Sequence, residues 1–311
     1  MIQSQKSFIG LHTIGEAALQ ILSNAQQGSV LASVSNAVYL LSNNGEIFWL
    51  IPAGYPMHRR GIQVGATLPC YKAGSRYQVE DRTLSIDSGK NLDFHHSPVW
   101  MSPTVTSSDI ISLSRCTNFL LAVIDQLLIQ HIPSGLGSLI VPIVQLTTHQ
   151  NEAMEVKLKN RVVLKSWPTV KGMILASLAD DTNQIISHAR SLVGLGEGLT
   201  PSGDDFLGGF LFARQVLYRY YPNDMNLSIC NYSDFILQSK PLTNLISYTI
   251  MKDHLDGRSV EPLHQFANGL LLGESIDQLS LHAEILISIG HSTGWDLLTG
   301  FLAGMSVTSV Q

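Results

Sequence analysis

Two segments of this chain repeat an order of residues that can do chemistry. Ser202-Gly203-Asp204-Asp205-Phe206-Leu207-Gly208-Gly209-Phe210-Leu211 is echoed by Thr293-Gly294-Trp295-Asp296-Leu297-Leu298-Thr299-Gly300-Phe301-Leu302. Both read hydroxyl, glycine, any residue, aspartate, apolar, leucine, any residue, glycine, phenylalanine, leucine. A hydroxyl and a carboxylate just ahead of an apolar run suit a helix N-terminus, whose first N–H groups lack partners within the helix. Each copy therefore predicts a loop feeding a helix. Two such starts, brought together, form a polar site for an anion or a hydrated cation, with peptide N–H groups and the positive dipole end drawing in an anion.

Four glycines and a proline fall between Gly194 and Asp205, so the preceding helix cannot continue and a tight loop must form. Ordinary capping explains one Asp or Ser but not the second Asp or the extra glycines. The loop residues Gly196, Gly198, Thr200, Ser202 and Gly203 are expected to bind substrate or phosphate, the N–H groups of Gly203 and Asp204 completing an anion hole. Adjacent helical residues point about 100° apart. One of Asp204 and Asp205 therefore caps the helix while the other faces the ligand, as a base or as a water-bridged Mg²⁺ ligand. Carboxylates crowding an anion site repel the ligand unless a cation sits between them or some of them face away. No Lys follows the glycines, which excludes a P-loop.

In the second copy Gly290-His291-Ser292-Thr293-Gly294 matches a serine-hydrolase elbow, but no histidine follows Ser292 in the order that such a triad requires. His291 is a candidate proton shuttle, Ser292 and Thr293 are candidate anion donors, and Asp296 joins Asp204 and Asp205 as a catalytic candidate. No histidine shows a zinc spacing. Arg190, one turn before the glycine loop, can reach an anion there. Thr243, Asn244 and Ser247 are read as helix caps. Glycine follows Asp205 and Asp296 at the fourth position, Gly209 and Gly300, with Gly304 a turn later, which predicts a close helix–helix approach at these residues. If the two helices cross there about a local twofold axis, Asp205 and Asp296 become partners, although a crossing alone does not fix which ends meet.

Several elements must position these groups. Apolar residues from Phe8 to Asn24 recur at helical spacing. The next hundred residues turn β-rich, with strands expected around 30–34, 37–41, 47–51, 65–71, 75–79 and 83–87. After a connector at 98–106, Ser107-Ser108-Asp109 are expected to cap a helix reaching Gln130. Helical periodicity then dominates, in stretches near 153–165, 169–179, 182–193, 205–220, 228–239, 242–254, 260–272, 275–289 and 295–308. The expected fold is α+β, a β-rich lobe over 1–145 followed by a mostly helical lobe over 146–311.

Composition narrows the functions. Hydrophobic residues make up 45% of the chain and charged ones 14%, an apolar balance that points to surface buried against partner subunits. A net charge of −5 without a basic run excludes a nucleic-acid footprint. Three dispersed cysteines suit a reducing compartment, so the cytoplasm is expected. No apolar stretch is long enough to predict a membrane span.

The string from Gly194 to Leu207, with Gly290 to Asp296 and a weaker N-terminal pattern from Gly28 to Leu40, resembles a bacterial domain-of-unknown-function family. Its better-known members are similar to the small subunit of the three-component oxamate carbamoyltransferase of allantoin catabolism. The resemblance implies phosphorolytic carbamoyl transfer, in which oxalurate and phosphate give oxamate and carbamoyl phosphate. It also implies a hetero-oligomer with an acyl-CoA-synthetase-like subunit and a third subunit, acting on a small anionic substrate. The alternative it leaves open is a non-catalytic structural or regulatory subunit of such a complex.

Overall fold

The structure is a computed structural model that describes residues 8–9, 11–65, 67–87, 91–105, 109–148, 161–223 and 230–306. The chain divides into two compact units, Met1–Pro103 and Thr104–Gln311.

In the first unit β1 (Phe8–Ile9), β2 (Leu11–Gly15), α1 (Glu16–Asn24), β3 (Gln27–Val34), β4 (Ala37–Ser42), β5 (Ile47–Pro52) and β6 (Gly61–Val64) are followed by β7 (Arg76–Glu80), β8 (Thr83–Ile86), β9 (Asn91–Asp93) and β10 (Val99–Trp100). They form one ten-stranded sheet in the order β1-β9-β8-β7-β3-β4-β5-β6-β2-β10. The β3–β4–β5 meander is antiparallel, whereas β5 and β6 run parallel. Ala18, Ile21 and Leu22 of α1 share a buried core with Val38, Leu40, Phe48, Leu50 and Ile62 of the strands. Burial on a packed sheet face, not local propensity, holds these short strands in place.

Two expectations need correction here. The first part of the helix expected from Phe8 forms the strands β1 and β2 instead, with Ile14 opposite Ile62 in the β2–β6 ladder; the helix begins at Glu16, its first turn held by Arg59 O accepting from the Ala17 and Ala18 N–H groups. The strand expected at 65–71 is absent among the described residues there, since the ladder stops at Val64.

The second unit is helical. It contains α2 (Leu113–Gln130), a 3₁₀ turn at Gly135–Leu139, α3 (Ile140–Thr147), α4 (Arg161–Leu178), α5 (Thr182–Ala189), α6 (Ser202–Tyr220), α7 (Cys230–Ser239), α8 (Leu245–Leu255), α9 (Glu261–Leu272), α10 (Ile276–Ile287) and α11 (Thr293–Met305). The order, strands first and helices after, is the α+β arrangement expected. The division falls at Pro103, not near residue 145, because Leu113, Leu120, Val123 and Leu127 of α2 lie in the same core as α6 and α11. Ser112 caps α2, accepting from the Arg115 N–H. The expected caps Ser107 and Ser108, the stretch 153–160 and the first residues of the helix expected at 228 lie outside the described residues. Helices expected at 161–165 and 169–179 are one helix, α4, which runs through Pro168. Among the described residues no single helix is long and apolar enough to cross a membrane.

At the centre, α6 and α11 pack together more extensively than any other pair of elements among the described residues. Both are buried on nearly every face, as suits helices enclosed by a protein core. A side chain on Gly209 would strike the carbonyl of Leu297, the residue after Asp296. One on Gly300 would strike the carbonyl of Phe206, the residue after Asp205. The contacts are reciprocal, as a local twofold relation between the two helices requires. Gly300→Ala forces the helices apart and is expected to cost about 1–3 kcal/mol, in the manner of overpacking. A thermal melt of the variant checks this, and an unchanged midpoint would mean that the crossing is looser than described.

Candidate functional site

The reciprocal crossing brings the first turns of α6 and α11 together, and with them both aspartates. Asp205 and Asp296 are 5% and 0% exposed. Above them lie four half-buried hydroxyls in crossed pairs. Thr200 Oγ1 is 3.3 Å from Thr293 Oγ1, and Ser202 Oγ is 3.4 Å from Ser292 Oγ. Each pair joins the first residue of one helix to the loop before the other. The same crossing recurs below, because Asp205 is favoured in its ionised form by Thr293 and Thr200, and Asp296 by Ser202 and Ser292.

A third element closes the site. The Leu136 N–H donates to Asp296 Oδ1 at 2.5 Å, and the Ser134 hydroxyl donates to the carbonyl of His291 at 2.9 Å. Gly135 has a φ of +54° and lies so close to Asp296 that a side chain there would strike Oδ1. In the sequence this segment shows only as the end of the helix expected to reach Gln130. Its sole signal was Pro133-Ser134-Gly135, too short and too common to distinguish a site wall from a turn.

Electrostatics sets the two carboxyls apart. Desolvation raises the pKa of Asp296 from 3.8 to about 6, opposed by Ser202, Leu136 and Ser292. Asp205 is raised well above the usual carboxylate range, first by burial and next by the charge of Asp296. The charge of Asp296 therefore weighs against ionisation of Asp205, and the two carboxyls titrate as a coupled pair. Each carboxyl keeps one oxygen, Oδ2, buried without a hydrogen-bond partner.

Asp204 does not belong to this pair. It accepts from the Gly194 N–H at 2.7 Å, the Thr243 hydroxyl at 2.5 Å and the Ser247 hydroxyl at 2.6 Å, which uses both oxygens. Its function is to staple the glycine loop to the start of α8, helped by Asn244, whose Nδ2 donates to Leu199 O at 2.9 Å. Asn244 also caps α8 through the Ser247 N–H. Of the expected caps Thr243, Asn244 and Ser247, only Asn244 caps the helix; the hydroxyls of Thr243 and Ser247 hold Asp204 instead.

The anion hole expected from Gly203 and Asp204 is already spent, since the Gly203 N–H donates to Leu195 O and the Asp204 N–H to Pro201 O. Gly203 is instead a close-approach residue, where a side chain would strike the carbonyl of Leu192. Gly194, Gly196 and Gly198 all have positive φ, at +71°, +126° and +91°. Only glycine takes that conformation freely, which accounts for the spacing. His291 is exposed at the rim, and Arg190 hydrogen-bonds to Gln238 instead of turning to the loop.

In class, this is a helical unit in which two crossed, glycine-packed helices present a buried carboxyl pair beneath a hydroxyl rim, an arrangement suited to holding a proton or a cation next to a polar substrate. A family model described as oxamate carbamoyltransferase subunit AllH matches residues 192–305. That stretch begins just before the glycine loop, ends at the last residue of α11 and contains both aspartates, so the chain resembles that subunit in the part that builds the site. No solved structure matches the chain.

Proposed function

We propose that the chain is a subunit of an oxamate carbamoyltransferase-type complex in the cytoplasm, and that the Asp205–Asp296 pair lines the place where carbamoyl transfer occurs. The observation that supports this most is the reciprocal seating of the two aspartates under Thr200, Ser202, Ser292 and Thr293, inside the one stretch that the family model covers. In the reaction a phosphate oxygen adds to the ureido carbonyl carbon of oxalurate. The bond from that carbon to the oxamate nitrogen then breaks, and the departing nitrogen takes up a proton. The Asp205–Asp296 pair, with both carboxyls raised by burial, supplies the proton or the cation that stabilises the departing nitrogen and the anionic reactants. The hydroxyl rim and the Gly196–Thr200 loop receive the anionic substrates, and the remaining subunits, an acyl-CoA-synthetase-like chain among them, complete the site.

Purification of the complex from its native host, followed by an assay of oxalurate and phosphate for carbamoyl phosphate, tests the reading. Product formation that requires this chain is expected. A complex that lacks it and still turns over at the full rate would refute the proposal.

A further inference from the structure

Two carboxyl groups that are 5% and 0% exposed cannot both be charged without compensation. The N-termini of α6 and α11 supply roughly half a positive charge each, which offsets about one of the two negative charges. Among the described residues no Lys, Arg or His stabilises the charge of either group. The shortfall has a location, because Asp205 Oδ2 and Asp296 Oδ2 are both buried with no hydrogen-bond partner. The oxygens around them are all hard donors, two carboxylates and the hydroxyls of Thr200, Ser202, Ser292 and Thr293. The hydroxyl pairs stand 3.3 and 3.4 Å apart, longer than the 2.7–2.8 Å usual for such bonds, so these oxygens are not committed to one another.

We infer that Asp205 and Asp296, with the hydroxyls above them, form a binding site for one divalent cation of the Mg²⁺ type. Among the described residues no third acidic, histidine or cysteine ligand joins the pair. That fits Mg²⁺, which is commonly held by one or two carboxylates and completes its octahedron with water and substrate phosphate. Thr200, Ser202, Ser292 and Thr293 are only half-buried, so the rim is in contact with solvent. A bound divalent cation turns a site that repels anions into one that attracts phosphate, which removes the conflict between two aspartates and an anionic substrate. The inference builds on the reading of the same site given above. Its test uses no substrate, so the two can fail separately.

The full chain, stripped with chelator, is titrated with Mg²⁺ by calorimetry and with Mn²⁺ by paramagnetic resonance. One saturable site per chain is expected, weakened by about tenfold or more in Asp205→Asn and in Asp296→Asn. The variant Glu80→Gln, at an exposed position on β7 in the first unit, should bind as the wild type does. Added Mg²⁺ should raise the melting temperature of the wild type and leave that of the two aspartate variants unmoved. Absence of saturable binding to the wild type overturns the inference without recourse to any variant. So does binding of unchanged strength in both aspartate variants.

Discussion

Asp205→Asn is expected to lower carbamoyl phosphate formation by about 10²–10⁴-fold while the subunit still folds and assembles, the range typical for removal of a group that moves a proton in the reaction. Asparagine keeps the shape of the side chain and its oxygen toward Thr293 and Thr200, but it can carry neither an acidic proton nor the negative charge that holds a cation. The size of the effect follows from the position of the group, buried and destabilised as an anion by Asp296. Rate and assembly must be read together, with gel filtration of the complex alongside the turnover assay. A wild-type rate in the variant sinks the catalytic role. Loss of assembly in place of turnover would favour the other reading of the chain, a structural subunit that completes a partner's site.

Asp296→Asn should act in the opposite direction on stability. The carboxyl of Asp296 has a pKa of about 6 in the folded chain against 3.8 for an exposed group. Below about pH 4 it is protonated in both states and imposes no penalty. Between about pH 4 and pH 6 the unfolded chain releases this proton while the folded chain retains it, so stability falls as pH rises, by about 3 kcal/mol in all. Asp205, also raised by burial and by the charge of Asp296, weighs on stability in the same direction. Asparagine is neutral throughout, still accepts from the Leu136 N–H, and offers its own N–H toward Asp205. Urea unfolding in chelator should therefore show the variant more stable than the wild type by about 3 kcal/mol near pH 8, with a flatter profile between pH 4 and 6. A variant that is less stable near pH 8, with an unaltered pH profile, would show that the folded chain does not carry this burden. Gain of stability with loss of cation binding and turnover is the pattern expected of a site that holds strain for a purpose.

Much of the site could be read from the repeated motif. The fourth-position glycines foretold the crossing, since a glycine recurring within a helix is costly unless a neighbouring backbone approaches, and Gly209 and Gly300 do meet the carbonyls of Leu297 and Phe206. The partition of Asp204 from Asp205 was foretold only as a choice between two orientations. Which residue turned inward depended on Thr243 and Ser247, roughly forty residues downstream, whose hydroxyls bind Asp204. The anion hole failed for a related reason. Local sequence shows which N–H groups a helix leaves free, but not that carbonyls of Leu195 and Pro201 already accept them.

Sequence by itself determined the α+β order, the two helix starts, the glycine loop and the close approach of the two glycine-bearing helices, because each depends on short-range spacing or on an internal repeat. Tertiary structure alone decided that α2 joins the helical core, that Gly135 and Leu136 wall the site, and that Asp204 is a staple. The reason is physical. Periodicity and capping act within a few residues, whereas burial, carbonyl acceptors and the mutual field of two carboxyls arise only when distant segments are packed against one another.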